Sequence, residues 1–373
     1  MPAVYLILGL AIVLALLALR GDHGRATYVA EKLSEPIPDS ACPPATIIVP
    51  VKGNDETLAA NLLSLASQTY PDYELIIVAR AKEDVPPDVL PEKARLVIAG
   101  DGDPSTGEKI NNLLAAIKAA RSQSKIFAFA DSDNTVNPNW LRSLAGPLAD
   151  PNVGLATGYR WHVPTPPDFW SCLRSSWNAA IAGTFHGDNN SFAWGGAMAI
   201  RRETFTKGKV STYWKGTVSD DFRISHAVRA TSLRIVYAPG AVVADTSHTT
   251  AAEFFSWIKR QLIVTRVYEP KLWWMAFTAH VIYCTAMPLG AIYAPFVLVL
   301  QLWLGMVKGR NRAKLARACL PAHDSWFRYY GWIHTIVVPF ATWIWLFSLL
   351  ASARTTTIEW RGRTYTLRSP AKS

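Results

Sequence analysis

The sequence predicts an α/β domain with a mostly parallel sheet, tied to a membrane by apolar helices. Three observations lead there. Short apolar runs alternate with amphipathic stretches between Thr46 and Thr157. One of these runs, Ile126 to Ala130, ends abruptly on Asp131-Ser132-Asp133. The composition is 50% hydrophobic with 15 Trp and a mean hydropathy of +0.11, too apolar for an ordinary soluble chain.

Val4 to Leu19 is continuous apolar sequence, slightly short of the ~20 residues of a usual membrane helix. No basic residue precedes it and no small-x-small cleavage site follows, so residues 1–20 read as a retained anchor rather than a signal peptide. Residues 21–44, polar and Pro-containing, are expected to be a linker. The α/β domain then covers residues 45–250. Its strands are predicted at Thr46–Val51, Glu74–Ala79, Arg95–Ala99, Ile126–Ala130 and Val153–Thr157. A helix follows the first strand over Leu58, Leu62, Leu63 and Leu65. Another runs from Gly107 to about Ala120, with Ile110, Leu113, Leu114 and Ile117 on one face. Asn137 and Pro138 read as the cap and first residue of a further helix. Beyond Pro164 the pattern weakens, then returns at Ser219, which can cap a helix carrying Phe222, Ile224, Ala227 and Val228. No glycine fingerprint of the dinucleotide or P-loop type is present.

Residues 251–270 mix Phe254, Phe255, Trp257 and Ile258 with Lys259, Arg260 and Arg266. They suit an interfacial amphipathic helix, or equally a core helix with a basic face. Residues 271–352 form the C-terminal membrane region. Leu272 to Val307, interrupted by Pro288, Gly290 and Pro295, is long enough for two spans. Residues 308–330 are a basic, aromatic loop, and Trp332 to Ala351 is a last span. Residues 353–373 are a basic tail in which Ile358 to Tyr365 reads as a small hairpin.

Net charge is +10, but the basic residues gather beside apolar segments (Arg20, Arg25 and Lys32; Lys308, Arg310, Arg312, Lys314 and Arg317). That pattern points to the positive-inside bias and anionic lipid, not to nucleic acid. The four cysteines have no Cys-x-x-Cys spacing, so neither a zinc site nor a disulfide framework is suggested, and reduced thiols on the cytosolic side are expected.

Asp131 and Asp133 stand at the carboxyl end of a predicted buried strand, where open α/β sheets bind ligands. Their oxygens are hard ligands, suited to Mg²⁺ or Mn²⁺ bridging to a diphosphate. Asp-Ser-Asp also opens turns for purely local reasons, so the motif alone does not decide. The same holds for Asp220-Asp221, since acidic residues in a helix's first turn are ordinary.

The order of motifs supplies more. Ile47-Ile48-Val49-Pro50-Val51-Lys52-Gly53, Asn61 to Leu65 with Gln68 and Tyr70-Pro71, Lys109-Ile110-Asn111-Asn112-Leu113, Asp131-Ser132-Asp133, Asp220-Asp221 and Trp360-Arg361-Gly362-Arg363-Thr364-Tyr365 follow one another. Together they resemble the ceramide glucosyltransferase type of membrane glycosyltransferase, over roughly residues 45 to 368. Hopanoid-modifying bacterial glycosyltransferases share the pattern. The resemblance implies a GT-A (Rossmann-like) nucleotide-sugar domain, inverting chemistry, and Mg²⁺ or Mn²⁺ as cofactor. It implies that Pro50, Asp84, Lys109, Asn111 and Asp131 contact the nucleotide sugar. Asp131 and Asp133 match the metal and diphosphate motif, and Asp221 matches the general base. The family's Gln/Arg-x-x-Arg-Trp motif aligns with Trp257 to Gln261, keeping Arg260 but placing Gln261 where Trp is usual. Trp257, one helical turn back, is the candidate substitute.

The leading expectation is therefore a multi-pass membrane enzyme facing the cytosol. It would move a hexose, most simply glucose, from a UDP-sugar to a lipid hydroxyl such as that of ceramide. Alternatives are a hopanoid, diacylglycerol or polyisoprenyl lipid acceptor, or a processive polysaccharide synthase. A non-catalytic sugar-nucleotide-binding membrane protein ranks last, because all three aspartates are present. One conflict stands. Four full spans would put the tail opposite the domain, yet the tail and residues 308–330 are both basic. A re-entrant segment broken at Pro288 or Pro339 would resolve it.

Overall fold

The computed structural model describes residues 1–53, 57–185 and 191–369. In chain order the elements are α1 (Pro2–Ser34), β1 (Ala45–Pro50), α2 (Leu58–Ala66), β2 (Tyr73–Ala79), β3 (Ala94–Ile98), α3 (Glu108–Ala119), β4 (Ile126–Ala130) and α4 (Trp140–Ala145). Then come β5 (Val153–Thr157), β6 (Arg160–His162), α5 (Phe169–Ala182), β7 (Ala197–Arg201), α6 (Arg202–Lys207), α7 (Val210–Trp214) and α8 (Asp220–Ala230). They are followed by β8 (Arg234–Tyr237), β9 (Val243–Asp245), α9 (Ala251–Tyr268), α10 (Pro270–Tyr293), α11 (Pro295–Cys319), α12 (Asp324–Tyr330) and α13 (Trp332–Ser352). A hairpin of β10 (Thr357–Trp360) and β11 (Arg363–Thr366) ends the described chain.

Seven strands form one sheet in the order β3-β2-β1-β4-β7-β5-β8. All its pairings are parallel except those of β7, which runs antiparallel between β4 and β5. This is the mostly parallel α/β sheet of GT-A type that the sequence predicts. Both faces are covered, so the central strands read as unbroken apolar runs. Successive side chains go to opposite faces. Ile47 and Val49 join Leu62, Leu65 and Trp140 under α2 and α4, while Ile48 joins Ile110, Leu113 and Ile224 under α3 and α8. The predicted strands of this half agree within a residue. Strand β7 was not expected, because its small residues (Ala197, Ala199) follow a Trp- and Gly-rich stretch with no clear alternation.

Several boundaries differ from the sequence reading. Residues 21–34 are not linker, because α1 continues through them to Ser34. There Arg25 pairs with Asp22 at 2.7 Å and donates to the carbonyls of Phe185 (2.9 Å) and Gly183, and Tyr28 donates to the Tyr237 carbonyl. These contacts clip the helix to the domain. Helix α4 starts at Trp140 instead of Pro138, because Asn137 Oδ1 accepts from the Asn139 amide in a local turn. Residues 308–319 are not loop but the basic second half of α11. Pro288 and Pro339 lie inside helices, and the chain instead breaks at Ala294-Pro295.

Among the described residues, three helices are long and apolar enough to cross a membrane: α1, α10 and α13. Leu272 to Val307 does not supply two such helices, since only the first half of α11, Pro295 to Val307, is apolar. Helix α13 packs on α11, α10, α9 and α5, with Trp345 stacked on Trp177 at 4.0 Å. The terminal hairpin returns to the α/β domain, where Arg361 donates to the Lys52 carbonyl and Arg363 pairs with Glu108 at 2.9 Å. The tail thus packs against the α/β domain.

Asp22 and Arg25 are 5% and 4% exposed as side chains, so removing one partner strands a buried charge. We expect Arg25→Ala to destabilise by about 3–5 kcal/mol and to lower the thermal midpoint in detergent. Asp22→Leu/Arg25→Met should recover most of the loss. Equal midpoints for Arg25→Ala and wild type would show that α1 is not held here.

Candidate active site

The site forms where β1 and β4 end. The buried β4 delivers Asp131 and Asp133, and α3 places Lys109 opposite them. Helix α8 opens with Asp220 and Asp221, held by Ser219, whose hydroxyl accepts from the Phe222 amide at 3.2 Å. Strands β6 and β9, which pair with each other, add Arg160, His162 and Asp245. These groups come together tightly. Lys109 Nζ lies 2.8 Å from Asp131 and 3.0 Å from Asp220. The Arg160 guanidinium forks to Asp131 (3.2 Å), Asp133 (3.1 Å) and Asp245 (3.2 Å), and lies 5.2 Å from the centre of the Trp194 ring. His162 Nδ1 is 2.9 Å from Asp245.

The electrostatics follow from this crowding. Burial pushes Asp131 up, but Lys109 and Arg160 outweigh it and hold the carboxyl below its ordinary value. For Asp133 burial wins, assisted by Asp131 and Asp245 beside it, and its pKa is raised. Burial also lifts Asp220 to about 6, although Lys109 opposes it. His162 is taken down to about 4 by burial and is neutral at pH 7, despite Asp245.

Two glycines let the backbone approach this cluster. A Cβ on Gly195 would come within 2.4 Å of Asp220 Oδ2. One on Gly196 would come within 2.2 Å of the Trp194 ring and 2.6 Å of Asp131 Oδ2. Asp221 Oδ1 accepts from the Ser219 hydroxyl (2.5 Å) and the Phe222 amide (2.8 Å).

All of this lines one cavity of about 880 Å³. Pro50, Lys109, Asp131, Asp133, Asp221, Trp257, Arg260 and Gln261, all candidates from the sequence, border it. Asp84 and Asn111 do not. Asp84 takes the Gly53 amide on its carbonyl and the Ala81 amide on its side chain, and Asn111 donates to the carbonyls of Asp103 and Thr106. Asn112, one residue on, borders the cavity instead. Trp257 borders the cavity and is packed edge-on against His162 and Trp177. Trp360 of the hairpin lies over Arg260, with the guanidinium 5.8 Å from its ring centre. Arg160, His162, Asp245 and the Gly195-Gly196 pair were missed in the sequence. Arg160 had a signal of a kind, a basic residue just past the end of a predicted strand.

At its far end the cavity is walled by membrane helices: Leu14 and Ala18 of α1, Met275 and Met287 of α10, Pro339 and Trp345 of α13. Among the described residues no three His, Cys, Asp or Glu side chains are placed to hold a metal ion by themselves. The donor set at Asp131 and Asp133 is nonetheless hard oxygen. Two such carboxylates fit a divalent cation that shares its shell with ligand phosphates and water. Asp131 and Asp133 would hold it.

A carboxylate-lined α/β site thus meets apolar helices in one cavity. The model of glycosyl transferase family 21 matches residues 5–372, and the chain belongs to that family, the family of the ceramide glucosyltransferases. Among solved structures it is similar to the mannosyltransferase from Pyrobaculum calidifontis in complex with GDP-mannose and Mn²⁺. The two share 18% identity, covering 93% of this chain and 97% of that one, with a TM-score of 0.47. A mycobacterial protein shows 17% identity over 64% of this chain and 77% of its own, with a TM-score of 0.41.

The hairpin that closes the polar end of the cavity is held by the Arg363–Glu108 bridge and by Ile358 and Leu367, both buried against Val218 and Ile263. Arg363→Ala should speed proteolysis within residues 353–369 several-fold and leave the α/β domain uncut. Unchanged cleavage would show that the apolar contacts suffice.

Proposed function

We propose that this protein transfers a hexose, most simply glucose, from a UDP-sugar to the hydroxyl of a membrane lipid such as ceramide, with inversion at the anomeric carbon. The observation that carries this reading is the continuity of the cavity. A charged end suited to a nucleotide diphosphate and an apolar end walled by membrane helices are parts of one space. A lipid hydroxyl can reach the carboxylates there while its chains stay among α1, α10 and α13.

In this reading Lys109 and Arg160 bind the donor's diphosphate, and Asp131 and Asp133 hold the divalent cation. When bound, that cation neutralises charge on the departing nucleotide. Pro50 and Asn112 line the nucleotide side. Asp84 and Asn111 act from behind the wall, by shaping the loops after β1 and before α3. Asp221 takes the proton of the attacking hydroxyl. Its Oδ1 is engaged by Ser219 and the Phe222 amide, which leaves Oδ2 for the acceptor. Asp220 serves differently, because its carboxylate is tied to Lys109. Arg260 under Trp360 borders the acceptor and diphosphate side with Gln261. The catalytic domain would face the cytosol, where UDP-sugars are made.

Labelled UDP-glucose and a lipid panel, with product identified by mass, test the reaction directly; no transfer to any lipid would end it. Asp221→Asn keeps shape and removes basicity, so transfer should fall about 10²–10⁴-fold while UDP-sugar affinity barely changes. If Asp221 only caps α8, Asn would serve nearly as well and turnover would stay close to wild type.

The cation prediction has its own readout. Because the protein alone offers too few ligands, Mn²⁺ followed by electron paramagnetic resonance should bind weakly to the free protein and at least tenfold more tightly with UDP. Asp133→Ala should abolish that gain, and chelator should stop transfer. Full turnover in excess chelator would remove the cation from the reaction.

A further inference from the structure

The mechanism above makes no use of two cations on the membrane side of the cavity. Lys308 and Arg312 both border it, one helical turn apart on α11. Like charges at this spacing repel, and on a wall shared with apolar membrane helices the repulsion is poorly screened. Among the described residues no carboxylate lies within 4.0 Å of either one. Lys308 Nζ has the Tyr283 hydroxyl at 3.3 Å and lies 4.7 Å from the centre of that ring. Arg312 Nε is buried with no hydrogen-bond partner. Asp22, the one carboxylate acting on both, is already bonded to Arg25 at 2.7 Å.

The geometry is rigid. Gly305 and Gly309, on the same helix, let α13 pack so closely that a Cβ on Gly309 would come within 2.0 Å of the His334 carbonyl oxygen. Gly183 leaves room for the guanidinium, since a Cβ there would lie 2.9 Å from Arg312 Nε. Two cations on the cavity wall with no carboxylate beside them mark a site for an anion. The wall here is shared with apolar residues of α1, α10 and α13, and the chemistry that matches an ammonium, a guanidinium and a tyrosine hydroxyl is a phosphate.

We propose that Lys308, Arg312 and Tyr283 bind a phosphate ester carried by a lipid lying in this cavity. The proposal deepens the lipid end of the function proposed above and rests on that reading for the acceptor's presence. The phosphate belongs either to the acceptor lipid itself or to a phospholipid packed beside it.

The test begins with binding, without donor or turnover. The purified full chain in a neutral maltoside detergent is titrated with phosphatidylglycerol and bound lipid is counted by native mass spectrometry. Wild type should bind at least about tenfold more tightly than Lys308→Gln/Arg312→Gln. Lys308→Arg/Arg312→Lys, which keeps both charges, should retain binding and control for folding. Inorganic phosphate should not compete at millimolar concentration, because it lacks the chains; competition would overturn the lipid assignment. Equal binding by wild type and the Gln variant would overturn the site, whether or not either one transfers sugar. Transfer then separates the two sources. A loss of kcat/KM confined to phosphate-bearing acceptors places the phosphate on the acceptor. An equal loss with a neutral lipid alcohol places it on a neighbouring phospholipid. If the Gln variant loses lipid binding but neither protein transfers sugar, the site stands and the transferase reading fails.

Discussion

Five aspartates converge at one end of a buried sheet, and Lys109, Arg160 and His162 lie within ion-pair distance of four of them. Charges of one sign cannot be crowded into a poorly hydrated site unless opposite charge is fixed between them. Much of the local architecture serves that end. Lys109 must project from the first turn of α3 to stand between Asp131 and Asp220. Arg160 must reach from β6 to three carboxylates at once. Gly195 and Gly196 must lack side chains so that the backbone can pass the cluster. Arg260 and Arg361 border the same cavity and act on this cluster, so the charge fixed around Asp133 is mixed in sign.

The same cluster explains why the membrane helices are built into the domain and not merely attached to it. Helix α1 runs on past its apolar half, and its buried Asp22–Arg25 pair docks it near Gly183 and Phe185. Helices α5 and α9 carry the apolar layer of Trp177, Phe254 and Ile258 on which Trp345 and Leu349 of α13 pack. One cavity can therefore pass from polar to apolar walls. Such a passage is what the proposed reaction between a soluble nucleotide sugar and a lipid demands.

The terminal hairpin joins these two ends. Its turn residues Arg361 and Gly362 have positive φ, as a tight two-residue connection requires. It brings Trp360 over Arg260 and Arg363 onto Glu108. An aromatic partner for Arg260 thus comes from about a hundred residues downstream, where the family pattern would place a Trp next door.

The sequence by itself determined the α/β class, the first five strands within a residue, and the two aspartates closing β4. These depend on short-range periodicity and on residue types whose chemistry is local. It also determined the apolar helices α1, α10 and α13 and the hairpin, because apolar length and a Trp-Arg-Gly-Arg turn are written in adjacent residues, but not that Leu272 to Val307 would yield one such helix instead of two. Strand β7 escaped, since a few small residues carry no alternation until neighbouring strands pair with them. So did the reach of α1 to Ser34, where a buried ion pair sustains a helix that polar composition argues against. Only the tertiary structure decided that Arg160, His162 and Asp245 meet Asp131 and Asp133, that Asn112 and not Asn111 faces the cavity, and that the tail returns to the domain. Those outcomes depend on contacts between residues far apart in the chain, and no local pattern encodes which distant charge will neutralise which.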